Sequence, residues 1–215
     1  MGFYSEYLNA GLNPVALQIE RRTQLQRIAE ARGRDILVIA ADLDLADNIA
    51  AIDHSDLMPV TDMLQNLDGT ALDLVLETPG GLGEVAEQIV RMIRDKYDDV
   101  AVIVPGTAKS AGTIMAMAAD DILMGSTSAL GPIDAQMSWQ GKIFSAYGLL
   151  SGLEEIKQEV DQTGQLNQAY IPILQMISPG EITRASNAQK FSRDLVTEWL
   201  AAYKFKNWNV HSSEI

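Results

Sequence analysis

Leu72-Asp-Leu-Val-Leu-Glu-Thr-Pro-Gly-Gly81 runs from an apolar stretch straight into a glycine turn. Val100-Ala-Val-Ile-Val-Pro-Gly-Thr-Ala-Lys-Ser-Ala-Gly-Thr113 does the same and then reaches a serine. Such apolar runs are the pattern of strands covered on both faces. Between them, Leu82, Val85, Ala86, Ile89, Val90 and Ile93 recur at i, i+3, i+4 and i+7, while Glu84, Glu87, Arg91 and Arg94 fall outside the stripe. That spacing predicts an amphipathic helix. Ile36-Leu-Val-Ile-Ala-Ala41 predicts an earlier buried strand, and Ile122-Leu-Met124 a short later one opened by Asp120-Asp121. A helix from Ser55 or Asp56 to about residue 66 and another from Ser110 to Ala119 complete the alternation. Strand, helix, strand, helix, strand is the signature of an α/β fold with a parallel sheet.

Outward from this centre, Pro14 starts and Gly33 stops a helix over 14–32. Its amphipathicity is imperfect: Leu17, Leu25 and Ile28 share one side, Val15 and Ile19 another near Arg22. Two partly apolar faces suit an arm that contacts more than one neighbour. Residues 126–141, rich in Gly, Ser and Pro, read as loop, and residues 143–205 as mostly helical, with breaks near Gly164 and Pro179-Gly180. Met115, Met117, Ile114 and Ala118 read as core or subunit interface. The expectation is one domain over 1–215, with an N-terminal helical arm at 1–33 and a helical C-terminal part at 143–215.

At 47% hydrophobic the chain can bury a sizeable core. Zero cysteines exclude disulfides, thiolate metal sites and a cysteine nucleophile. A formal charge of −13 argues against binding nucleic acid through phosphates, which needs clustered Lys and Arg. No span reaches the roughly 20 apolar residues of a membrane helix, and Met1 to Pro14 does not read as a signal peptide. The expected location is cytoplasmic. Two separated histidines and no cysteine give no metal-ligand spacing.

In an open parallel sheet, ligands bind at the carboxyl ends of the strands. Gly80-Gly81 and Ser110 both fall there, on consecutive strands. A serine hydroxyl attacks an acyl carbon when a base takes its proton, donors hold the oxyanion and a rigid turn presents the oxygen. Ser110 at a helix start supplies the turn, its neighbour Ala111 an N–H donor, and Gly80 and Gly81 a backbone that approaches without a side chain. Ser is equally a preferred helix N-cap, and Pro-Gly-Gly alone is an ordinary turn; the pairing of the two favours the catalytic reading.

Glu77-Thr-Pro-Gly-Gly81, an amphipathic helix, a strand and Lys109-Ser-Ala-Gly-Thr113 resemble the Clp-protease/crotonase superfamily, and within it the serine dehydrogenase proteinase group, related to signal peptide peptidase A. Ile52-Asp-His-Ser-Asp56, Leu130-Gly-Pro-Ile-Asp-Ala-Gln136 and Asn207-Trp-Asn-Val-His-Ser-Ser213 resemble that group's patterns too. The resemblance implies a Clp/crotonase-like spiral of parallel strands flanked by helices, a peptide or protein substrate, a homo-oligomer and no cofactor. No GxGxxG follows a strand, so hydride chemistry is not expected despite the group's name. It also implies Ser110 as nucleophile, with an oxyanion hole at Gly80, Gly81 and Ala111.

The resemblance leaves the base open. The order Ser, Asp, His of the closer group falls on Ser110, Asp134 and His211. The competing assignment is Lys142, in a loop ahead of a helix, where related proteases place a lysine; it requires burial to depress a pKa of about 10.4. His54, at a helix entrance, reads as structural and Lys157 as a solvated helix face; Lys109 adjoins Ser110, but adjacent side chains point apart at a helix start. Two other functions remain open on these residues: an inactive assembly or binding module on the same fold, and a crotonase-like acyl-CoA enzyme.

Overall fold

The computed structural model describes residues 3–44, 50–139 and 142–208, with backbone alone at 3, 4, 138, 139, 142 and 143. Helices α1 (Phe3–Asn9) and α2 (Pro14–Arg32) lead into strand β1 (Asp35–Ala40). Then follow α3 (Leu57–Gln65), β2 (Ala71–Glu77), α4 (Gly83–Lys96), β3 (Asp99–Val104), β4 (Thr107–Ala108), α5 (Ala111–Met117) and β5 (Asp121–Met124). The chain continues through β6 (Ala129–Leu130), β7 (Gln136–Trp139), β8 (Lys142–Ser145), α6 (Ala146–Thr163), α7 (Ile171–Gln175) and α8 (Pro179–Trp199). The architecture is an α/β fold with a parallel sheet flanked by helices.

The main sheet has the order β1-β2-β3-β5, every pair parallel. Consecutive buried residues Leu72, Asp73 and Leu74 on β2, and Val100, Ala101 and Val102 on β3, show that both faces of the sheet are covered. On α4 the predicted stripe is buried at Val85, Ala86, Ile89, Val90 and Ile93, while Leu82, just before the helix, is exposed; each buried Val or Ile contributes roughly 1.5–3 kcal/mol. Helix α5 buries every residue from Ala111 to Ala116, and Leu195 and Trp199 of α8 join the same core.

Two expectations are corrected. Residues 126–141 are not all loop: β6 pairs in parallel with β4, and β7 pairs antiparallel with β8. The C-terminal part is helical only from Ala146, because residues 142–145 form the second strand of that pair. The expected break near Pro179-Gly180 is present, between Gln175 and Pro179, and the proline opens the next helix. Ser178 and Glu181 form a reciprocal capping box there, and proline fits the first helical turn, whose N–H needs no partner. The cap at the entrance to α3 is Asp53, through a short 3-10 turn at His54–Asp56.

Arm and sheet are joined by charge. Gly33 ends α2 in the left-handed conformation (φ 62°), which turns the chain into β1 and leaves Arg32 and Arg34 on either side of the turn. Both point at Asp73, a carboxylate with no exposed surface in the middle of the sheet. Arg32 hydrogen-bonds it with two nitrogens. The Arg34 Nε lies 2.6 Å from Asp73 Oδ1, while its other two nitrogens grip Asp99 at 2.8 Å each. At the far side, Asp120 gathers the Val100 N–H at 3.0 Å, Arg94 at 2.8 Å and Lys206 at 2.7 Å. Arg94 also stacks 3.8 Å from the Tyr203 ring centre, so the chain beyond α8 is held against the sheet.

Two measurements test these anchors. Removing one partner of a buried ion pair leaves an uncompensated charge, so Asp73→Ala should cost about 3 kcal/mol or more in urea unfolding at pH 7; a loss in the ~0–1 kcal/mol range of exposed pairs would show that the cluster anchors nothing. For Asp120, burial acts to raise the pKa, but the hydrogen bonds from Lys206, the Val100 N–H and Arg94 outweigh it and bring the pKa down to about 2 from an ordinary 3.8. A depressed carboxylate pKa means stability that is full above the ordinary value and lost as pH falls through the folded one. Asp120→Asn should therefore flatten the loss of stability between pH 3.8 and about 2, followed by thermal melts across that window.

Candidate functional site

Ser110 stands between β4 and α5 with φ 50° and ψ −115°. Among the described residues it is the one non-glycine with positive φ. Such a conformation costs of order 1–3 kcal/mol and persists where the surroundings over-determine it. They do so here. The Lys109 N–H donates to Thr78 O at 3.1 Å and the Thr78 N–H to Thr107 O at 2.9 Å, which fixes the approach to Ser110. Gly112 N–H to Lys109 O, 2.8 Å, and Ile114 N–H to Ser110 O, 3.1 Å, fix the exit. The Thr113 hydroxyl lies 2.7 Å from Ala108 O and accepts the Gly131 N–H at 3.1 Å, tying this loop to the one before β7. Glu77 accepts the N–H groups of Gly106 and Thr107 at 2.7 and 2.9 Å. The Ser110 hydroxyl makes no capping bond to the helix it precedes.

Gly80 and Gly81 face it. Gly80 has φ 114°, and a Cβ there would lie 2.8 Å from Ser110 Cβ and 2.9 Å from Lys109 O. Gly81 has φ 152°, and a Cβ there would overlap the Ile52 backbone. Ile52 brackets this turn: its N–H donates to Gly80 O at 2.8 Å and its carbonyl accepts from Leu82 N–H at 2.9 Å. The Gly80 N–H is committed to Thr78 Oγ1 at 3.1 Å. Among the described residues, the N–H groups of Gly81 and Ala111 meet no acceptor. Two unpaired donors, a glycine surface and a strained serine thus lie on one side of two adjoining loops.

These residues floor a cleft of ≈ 730 Å³. Its opposite wall is α8, through Asn187, Ala188, Phe191 and Ser192. The Phe191 ring packs against Gly83, at 3.2 Å from where a Cβ would stand. Leu82 and Ile114 make the lining largely apolar, with Glu84 and Lys109 at its edges.

Residues 12–166 match the family model of the ClpP-like SDH-type serine proteinases. The chain belongs to this family. Two uncharacterized proteins of Methanocaldococcus jannaschii are 44% and 39% identical to it over 66 residues. That stretch is 31% of this chain and 23% of each relative, so the chain spans less than a quarter of the length of the curated relatives it matches. Among solved structures, a serine-to-alanine mutant of the 1510-N membrane-bound stomatin-specific protease is similar at 20% identity and TM-score 0.42, covering 61% of this chain and 65% of that one. A lysine-to-alanine mutant of the same protease, in complex with a substrate peptide, gives 23% identity and TM-score 0.39 over 61% and 62%.

Within this member of the ClpP-like SDH-type serine proteinase family the other candidate residues are placed unevenly. Ser110, Gly80, Gly81 and Ala111 come together at the cleft floor. Asp134 stands one residue outside it, before the lining residues Ala135 and Gln136, and its Oδ1 accepts the Tyr147 N–H at 3.1 Å at the start of α6. Lys142 is backbone-paired to Trp139 across β7 and β8, in a strand rather than a loop; its side chain lies outside the described residues. So does His211, with the rest of 209–215. His54 is exposed, its Nε2 3.9 Å from Glu84 Oε1. Lys109 lines the cleft. No group of three metal-ligating side chains occurs among the described residues, and no described helix is long and apolar enough to cross a membrane.

Sequence reading missed the α8 wall and the Glu77 latch. Phe191 lies far beyond Ser110 in the chain and carries no local signal of its role; Glu77 belongs to the glycine-turn motif, but its contacts to Gly106 and Thr107 are long-range.

The strain at Ser110 is measurable. Glycine tolerates positive φ, so Ser110→Gly should be more stable than Ser110→Ala by about 1 kcal/mol, the strain relieved exceeding the added chain entropy. Thermal melts of the two variants decide it; a lower Tm for the glycine variant would remove the case for strain.

Proposed function

We propose that this protein is a serine peptidase acting through an acyl-enzyme on Ser110. The observation that carries the reading is the Ser110 backbone, held at positive φ with its hydroxyl making no capping bond to α5, beside the N–H groups of Gly81 and Ala111, which meet no acceptor among the described residues. A strained strand-to-helix turn that exposes a serine oxygen is how nucleophilic serines are presented in unrelated hydrolases. Family membership supports the reading.

In the proposed reaction the Ser110 Oγ bonds to the carbonyl carbon of a peptide while a base takes the hydroxyl proton. The carbonyl oxygen becomes an oxyanion and accepts hydrogen bonds from Gly81 and Ala111. Collapse breaks the C–N bond, and the base returns the proton to the leaving amine. Water, deprotonated by the same base, then releases the acid and restores Ser110. Gly80 contributes by having no side chain, which lets the turn close on Ser110. The base is Lys142 or His211. With His211, Asp134 is the orienting carboxylate, through the lone pairs that Tyr147 leaves unused. The substrate is a peptide or protein, met in the cytoplasm, with which a cysteine-free composition is compatible.

Fluorophosphonate labelling with mass-spectrometric mapping tests the reading. Label at Ser110 is expected in the natural sequence, none at that position in Ser110→Ala, and loss in whichever of Lys142→Ala and His211→Ala removes the base. A folded protein that takes no label would overturn the peptidase and favour the binding module. Gly81→Val, which drives a side chain into the Ile52 backbone, should lower peptidase turnover about 10²–10³-fold by displacing the oxyanion donor. Full turnover in that variant would place the donor elsewhere.

A further inference from the structure

Clefts that bind ligands are lined mainly by apolar side chains, with a few polar groups that fix orientation. In the cleft above Ser110 two large apolar side chains remain open. Leu82, directly after the Gly81 N–H donor, is 43% exposed, and Phe191 on the α8 wall is 36% exposed. Asn187, Ala188, Phe191 and Ser192 follow i, i+1, i+4 and i+5, one face of α8. Phe191 is the largest of the four.

The ring is held in place from two sides. Helix α8 is anchored by the buried residues Ala185, Ser192, Leu195 and Trp199 and closed at its start by the Ser178–Glu181 capping box. A side chain carried by so firmly packed a helix is positioned more tightly than one on a loop. On its other side the ring rests on Gly83, with Cε1 3.2 Å from where a Cβ would stand. Gly83 is the first residue of α4 and follows the turn that carries the Gly81 donor. The wall and the oxyanion turn are therefore in direct contact through Phe191. Helix α8 lies outside residues 12–166, so the family match assigns no role to this ring.

We propose that Phe191 is a specificity-determining residue, whose ring limits the size of the side chain admitted next to the attacked carbonyl. The proposal deepens the reading of Ser110 as a nucleophile and rests on it. With the carbonyl carbon at Ser110 and its oxygen at the Gly81 and Ala111 N–H groups, the neighbouring side chain begins two bonds from the reacting carbon. The space there lies between Leu82 and Ile114 on the floor and Ala188 and Phe191 on the wall. A charged side chain would lose its water against these groups without gaining a countercharge. An aromatic one would compete with the Phe191 ring for the same volume. The substrate class that fits is a peptide with a leucine-sized apolar residue on the acyl side of the cleaved bond.

Tripeptidyl diphenyl phosphonates test this. They are made identical except for an Ala, Leu or Phe side chain beside the phosphorus, which stands where the carbonyl carbon would. Rates of Ser110 modification are followed by mass spectrometry in the natural sequence and in Phe191→Ala, Phe191→Leu and Phe191→Trp, each shown to be folded by its thermal melt. Every rate is divided by that of a small alkyl fluorophosphonate in the same variant, which removes any general change in Ser110 reactivity. The Leu probe should react fastest in the natural sequence. The Phe-to-Leu ratio should rise about tenfold or more in Phe191→Ala and by less in Phe191→Leu, since each methylene in an apolar pocket is worth at least that factor. Phe191→Trp should lower the Leu-to-Ala ratio. Ratios that do not change, a natural protein that prefers the Phe probe, or fluorophosphonate labelling with no reaction of the peptidyl probes would overturn the role of Phe191 and leave the nucleophile in place. A folded natural protein that takes no fluorophosphonate at Ser110 would overturn the peptidase reading, and this inference with it.

Discussion

The constraint on which the site depends is the close approach of three stretches of backbone. Residues 78–82 run between Ile52 on one side and Ala108–Ser110 on the other, hydrogen-bonded to both. There is no room for a side chain in this seam. Gly80 would meet Ser110, Gly81 would meet Ile52, and Gly112 would meet the Thr78 methyl. Glycine's freedom at positive φ and its lack of a Cβ serve the same end: three stretches pack backbone against backbone.

Strain at Ser110 is a consequence of that compression. Thr78 holds the strand before the serine, Gly112 and Ile114 hold the helix after it, and Thr113 pins the loop below to Gly131. The one residue left between these restraints takes the unfavourable dihedral angles. Its hydroxyl is not drawn into capping α5, although serine is a preferred cap at that position. A site of this kind trades stability for geometry, a common exchange where a group must be presented rather than relaxed.

The rest of the molecule supports the seam from outside. The parallel order of β1, β2, β3 and β5 sets the loop ends side by side. The Arg32–Asp73–Arg34 cluster fixes the arm to the opposite, amino-terminal end of the sheet, away from the cleft. Helix α8 closes the cleft with Phe191 and also buries Trp199 in the core. It lies beyond residue 166, where the family match ends, so the cleft floor is shared with the family while this wall is not part of that match.

Local pattern alone determined the strands from Ile36 to Met124, the stripe of α4, the stop at Gly33 and the glycine turn facing a serine. Each is set by burial and dihedral preference within a few residues, and those leave their mark in the spacing of side chains. Tertiary structure decided the rest. Nothing near Ser110 in sequence announces its φ, because the restraints come from Thr78 and Gly131. Nothing near Asp73 announces that two arginines forty residues earlier neutralise it. The β7–β8 pairing escaped because its strands are short and their partner, not their periodicity, makes them strands. Long-range contact is a property of the folded chain as a whole, and it is there that this sequence turns a serine at the start of a helix into a candidate nucleophile.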